Sequence, residues 1–210
     1  SLRLHGERPL ARLERLRLVT ERLIAVHAVH LEPDEIALLA QRGASVAHCP
    51  ASNLKLGSGI APIARAAAAG VNLALGTDGA ASNNRLDLIQ EMRHAALLAK
   101  VGSMDASALP AHAVLRMATL DGARALGLGE HIGSIESGKF ADLCAVDLGA
   151  LDCQPCFEPV SHLVHVAGRE HVSHVWVNGE TRVDKGIRLL HINDSELLRL
   201  ASMWQTKVGN

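Results

Sequence analysis

Three short apolar runs, residues 23–27, 45–48 and 71–76, are each followed by a helical pattern, and the unit recurs at roughly 25 residues. Strand then helix, repeated, is the pattern of parallel βα units. The helices are marked at their ends. Glu32-Pro33-Asp34-Glu35 places proline and acids in a first turn, where the helix dipole favours them, and Gly43 follows the last helical residue. An Ala-rich helix is expected over 62–69 before Gly70, another over 87–100, and an opening helix over 9–16. Each strand ends in a polar residue able to do chemistry: His27, His48 and Asp78. In a βα barrel that end of the strands is the active face.

Asp78 stands in Leu73-Ala74-Leu75-Gly76-Thr77-Asp78-Gly79-Ala80-Ala81-Ser82-Asn83-Asn84, where an apolar strand runs into a polar turn. A carboxylate there is placed to bind a metal or accept a proton. Asp-Gly also closes tight turns, and the tetrapeptide alone leaves both readings open.

Further helical stretches cover 111–119 and 122–126, after which the texture changes. Residues 133–146 read as a turn and a strand, and 174–183 as a hairpin turning at Asn178-Gly179. A short helix is expected from Pro159, and an amphipathic one over 194–206. The expected organisation is a partial (β/α) barrel over 1–129, part of a β-sandwich over 130–190 and a C-terminal helix over 191–210. Three βα units cannot close a barrel, which takes eight strands and about 250 residues. The fold expected is therefore α/β, the C-terminal portion of a (β/α)8 barrel with part of a small appended β-sandwich. An open α/β sheet complete in itself is the alternative.

With 48% hydrophobic residues, the 210-residue chain can bury a core. A net charge of −1 and 2% aromatics argue against nucleic-acid binding, which needs a basic footprint and stacking rings. Arg3, Arg8, Arg12, Arg15, Arg17 and Arg22 alternate with Leu10, Leu13 and Leu16 at helical spacing and read as a solvated face. No apolar run reaches the roughly 18 residues of a membrane span. Four cysteines do not make a disulfide scaffold, so the cytoplasm is the expected compartment. Cys153-Gln154-Pro155-Cys156 has neither a second pair nor a thioredoxin-like context, and Gly57-Ser58-Gly59 lacks the rest of any nucleotide fingerprint.

Twelve histidines need sorting, of which His27, His30, His48, His162, His165 and His174 lie on or beside apolar runs. His5, His94, His112, His131, His171 and His191 lack partners nearby in sequence and read as surface or structural. His162 and His165 read as packing, and His30 as structural or supporting rather than a ligand. His48 either touches substrate or metal or is a buried imidazole bonded to backbone. Asn53 and Lys55 either contact ligand or keep a polar loop soluble.

Four segments carry a resemblance. They are Val26-His27-Ala28-Val29-His30-Leu31, His48-Cys49-Pro50-Ala51-Ser52-Asn53-Leu54-Lys55-Leu56-Gly57-Ser58-Gly59, Gly76-Thr77-Asp78-Gly79-Ala80-Ala81-Ser82-Asn83-Asn84, and Gly133-Ser134-Ile135-Glu136-Ser137-Gly138-Lys139-Phe140-Ala141-Asp142-Leu143. In order and spacing they resemble the amidohydrolase superfamily, in the branch of the methylthioadenosine/S-adenosylhomocysteine deaminases and related chlorohydrolases. The resemblance implies a distorted barrel with one divalent metal, zinc before iron, and strands six to eight in this chain. It implies that Asp78 binds the metal and shuttles the proton, that His27 sits beside the water and leaving amine, and that Ser82 faces the substrate. His48 is added as a substrate contact.

This chain departs from the family at two points. No two histidines stand two apart, and no His-x-x-Glu precedes His27. Zinc sites use about three protein ligands, so metal binding by the chain alone is expected to be weak or absent. The function expected is deamination of a purine nucleoside, by C–N hydrolysis, once an N-terminal half is supplied. A guanine-type or triazine hydrolase of the same superfamily is the alternative substrate class. The other reading is a non-catalytic remnant that self-associates. A small purine nucleoside is the expected ligand, and a second copy or an N-terminal half the expected protein partner.

Overall fold

In a computed structural model that describes residues 1–189 and 192–209, two short helices, α1 (Leu2–His5) and α2 (Pro9–Arg15), precede the first strand. The three apolar runs form a parallel sheet of β1 (Ile24–Val26), β2 (Ser45–His48) and β3 (Asn72–Leu75), in that order. Its register sets Ala25 opposite Val46 and Val46 opposite Leu73. Helix α3 (Pro33–Gln41) follows β1, opened by a reciprocal capping box between Glu32 and Glu35 and closed at Gly43, whose φ of 66° suits glycine. Arg8 grips Glu35 at 2.7 Å, so the arginine face is partly paired rather than only solvated.

After β2 come α4 (Pro50–Lys55) and α5 (Ile63–Ala68); after β3 comes α6 (Leu88–Ser103), capped by the Asp87 carboxylate. Helix α4 occupies a stretch whose Gly, Ser and Asn content predicts a loop. Its Ala51 N–H donates to the Glu91 carboxylate at 2.9 Å, a partner 40 residues away that composition cannot reveal.

Helices α7 (Ala111–Ala118) and α8 (Leu120–Ala125) pack on β3. The core gathers Val46 and Leu73 of the sheet, Ile36 and Leu39 of α3, Ile63 and Ala66 of α5, Met92, Ala95 and Ala96 of α6, and Val114 and Met117 of α7. Small alanines on α6 let that helix lie close, and each large side chain buried here contributes roughly 1.5–3 kcal/mol.

The rest of the chain forms one antiparallel sheet among the described residues, ordered β4 (Leu143–Val146), β5 (Val172–Val177), β6 (Glu180–Asp184) and β7 (Ile187–Arg188). The expected hairpin turns at Asn178 and Gly179, both with positive φ as its type requires. Helix α9 (Pro159–His165) lies between β4 and β5 in sequence but packs on α6 and α7, so its Val164 joins the core of the parallel sheet. Helix α10 (Asp194–Val208) ends the described chain. His191 lies outside the described residues.

Candidate active site

His27 and Asp78 stand just past the C-terminal ends of β1 and β3, with φ of 68° and 61°. Left-handed backbone costs a non-glycine residue on the order of 1 kcal/mol, so both must be held in place. The His27 amide donates to Ala47 O at 3.0 Å, and the Gly79 amide donates to Asp78 Oδ1 at 2.7 Å.

Asp78 Oδ2 accepts two hydroxyls, Ser52 Oγ at 2.7 Å and Ser82 Oγ at 2.8 Å. The Ser52 hydroxyl first, then Ser82 and the Gly79 amide, hold its carboxyl at about 2, below the ordinary 3.8. His27 Nδ1 lies 2.9 Å from Asn53 Oδ1, which fixes the ring proton on Nδ1 and turns the Nε2 lone pair outward. Nε2 is 3.7 Å from Asp78 Oδ2. Two acceptors thus face one another, an arrangement that a cation or a proton-bearing group relieves.

The donor set fits one corner of a metal centre. Asp78 offers a carboxylate, and His27 stands beside it. Among the described residues no third His, Cys, Asp or Glu atom completes a set with them.

The structure brings together His27, Asp78 and Ser82. His48 does not join them by hydrogen bond. It is buried, with Nδ1 unpartnered, and burial first and the neighbouring His27 second push its pKa down to about 4. It is therefore neutral at physiological pH. Asn53 serves His27, and Lys55 donates to Ala81 O and Asn84 Oδ1, so both are engaged within the loops. Sequence reasoning missed Ser52 as a partner of Asp78. Its only signal was its place four residues past a strand end.

A second gathering lies elsewhere. Asp152, Cys153 and His171 bring potential ligand atoms within 4.8 Å of one another, although His171 had read as lacking partners. The Gly168 amide donates to His171 Nδ1 at 3.0 Å, so the ring proton is on Nε2 and donates to Asp152 at 3.2 Å. Neither nitrogen keeps a free lone pair, and the imidazole ties two loops together rather than binding a metal.

The profile of the amidohydrolase family matches residues 2–182. A 5-methylthioadenosine/S-adenosylhomocysteine deaminase of Teredinibacter turnerae is 47% identical over 209 residues, which is 100% of this chain and 47% of that protein. A zinc-bound adenosine deaminase structure from Xanthomonas campestris superposes with a TM-score of 0.97 at 51% identity, over 99% of this chain and 47% of that one. A zinc-bound atrazine chlorohydrolase from Arthrobacter aurescens gives 0.88 at 31% identity, over 97% and 45%. The chain spans about half the length of the curated relatives it matches, 47% in the first case.

Proposed function

The chain belongs to the amidohydrolase family, and from that premise we propose that it is the C-terminal part of a metal-dependent hydrolase that deaminates a purine nucleoside such as methylthioadenosine or S-adenosylhomocysteine. The observation that carries this reading is the facing pair, His27 Nε2 and Asp78 Oδ2 at 3.7 Å, at the C-terminal ends of parallel strands. Its fold would be the last part of a (β/α)8 barrel, with residues 130–190 giving a share of a β-sandwich.

Asp78 would hold a divalent metal, zinc before iron, with further ligands from an N-terminal half. When bound, such an ion acidifies water enough to attack an amidine carbon at neutral pH. The chain's own groups then handle protons. Asp78 would take the proton of the attacking water and return it to the departing amine. His27, with Nδ1 fixed by Asn53, presents Nε2 to the departing amine and orients it. Ser82 holds Asp78 Oδ2 and lies on the side where substrate would enter. His48, neutral and buried near His27, would reach substrate only through Nε2.

A second reading rests on the incomplete ligand set around Asp78. The chain is then a remnant that takes no part in catalysis and is stable only by self-association or by pairing with an N-terminal partner. Elemental analysis and ammonia release from methylthioadenosine, with the chain alone and mixed with the N-terminal half of the Teredinibacter relative, separate the two. Zinc uptake with turnover in the mixture, lost in Asp78→Asn, is expected. Zinc uptake without ammonia from methylthioadenosine, guanine or a chlorotriazine favours the remnant.

A further inference from the structure

We infer that Glu91 is a positioning residue, one buried carboxylate that holds both loops carrying the His27–Asp78 pair in register. The inference rests on the reading of that pair as the working groups. Glu91 lies in the first turn of α6 and is 1% exposed. One oxygen accepts the Ala51 amide of α4 at 2.9 Å, and the other accepts Asn83 Nδ2 at 2.8 Å.

Each bond leads to the site by a short path. Ala51 opens the helix that bears Ser52 and Asn53, whose side chains meet Asp78 Oδ2 and His27 Nδ1. Asn83 Nδ2 also donates to Thr77 O at 2.9 Å, fixing the peptide that leads into Asp78. Asn83 Oδ1 accepts the amides of Arg85 and Leu86, so the loop is braced on its far side too.

A helix as short as α4 has little stability of its own, and one of its free N–H groups is met by this charge. An ionised carboxylate this deep is costly. Burial, the largest influence, holds its pKa above the ordinary carboxylate value, against the Ala51 and Asn83 donors that lower it. No nearer use of that charge accounts for it, because Glu91 touches neither solvent nor the facing pair. The left-handed backbone at His27 and Asp78 is the kind of strain that persists only when such supports over-determine it.

Glu91→Gln is nearly isosteric but turns an amide N–H toward a donor, so one of the two loops is released. The readout is the tautomer of His27, followed by nitrogen-15 NMR of the imidazole in the full chain at a pH where the ring is neutral. The wild-type chain is expected in the Nδ1–H form that Asn53 demands. Glu91→Gln is expected to shift it toward the Nε2–H form that a free imidazole favours. Val114→Ala, which thins the core at α7 without touching either loop, is expected to leave the tautomer unchanged. In the enzyme completed by an N-terminal half, Glu91→Gln should lower kcat about tenfold to a hundredfold with KM within about twofold.

An unchanged tautomer in Glu91→Gln, or an equal shift in Val114→Ala, overturns the inference. If Glu91→Gln does not fold, hydrogen exchange on the wild-type chain decides. A protected Ala51 amide upholds the clamp, and exchange as fast as an exposed loop overturns it. Absence of ammonia release bears on the proposed reaction alone and leaves the NMR result standing.

Discussion

His48 shows how far a residue's place in a sequence differs from its place in space. Its position at a strand end put it on the active rim, yet it is 2% exposed, buried like Ser45 and Val46 of the same strand. A buried neutral imidazole has a pH consequence. The folded chain holds its pKa at about 4 while the unfolded chain returns it to 6.5, so the unfolded state binds the proton first. This contribution to stability is complete above about 6.5 and is lost as pH falls toward about 4, up to about 3 kcal/mol. Urea unfolding of the wild-type chain and His48→Gln across that window is expected to show a shallower slope in the variant. Parallel slopes would place the acid sensitivity in other groups. His27 and Asp78 were legible because a strand end followed by a polar residue is visible in one dimension. Ser52 and Glu91 were not, since a serine after a loop-like Pro-Ala and an acid in a helix's first turn have ordinary local explanations.

The elements themselves were read with more success, and the reason is physical. β2 was expected over the residues it occupies, and α3, α6 and α9 to within a few, because apolar runs, prolines and stop glycines act locally. Helix α4 was missed because its stability is tertiary. The joining of α9 to the parallel sheet's core was missed for the same reason. Arg93 of α6 donates to Val164 O at 3.3 Å and to Ala167 O at 2.5 Å, covering carbonyls that the end of α9 leaves free. Removing the guanidinium orphans two carbonyls in a partly buried setting. Arg93→Met is therefore expected to lower the unfolding free energy by about 1.5–3 kcal/mol, the range for hydrogen bonds to charged groups. Chemical denaturation measures it. A change within experimental error would mean that apolar packing around Val164 holds α9 without help.

The parallel sheet has two end strands, β1 and β3, each paired only with β2 among the described residues. α7 and α8 pack against β3, and β1 ends in Val26, 51% exposed. A strand edge with free N–H and C=O groups and an apolar end is a template for another strand. If the chain belongs to a longer barrel, the natural occupant is a parallel strand from the N-terminal half. Without that half, a second copy is the best substitute available. Sedimentation velocity of the purified chain is expected to show mass rising with concentration, and Val26→Lys, which charges the edge, should return it toward a monomer. Adding the N-terminal half of the Teredinibacter relative should also dissolve the self-associated form, because both occupants compete for one edge. A monomer at all concentrations with a single cooperative melt would remove the competition. The three-stranded sheet would then be stable with its edge exposed, and the open α/β sheet would be the better account of the chain.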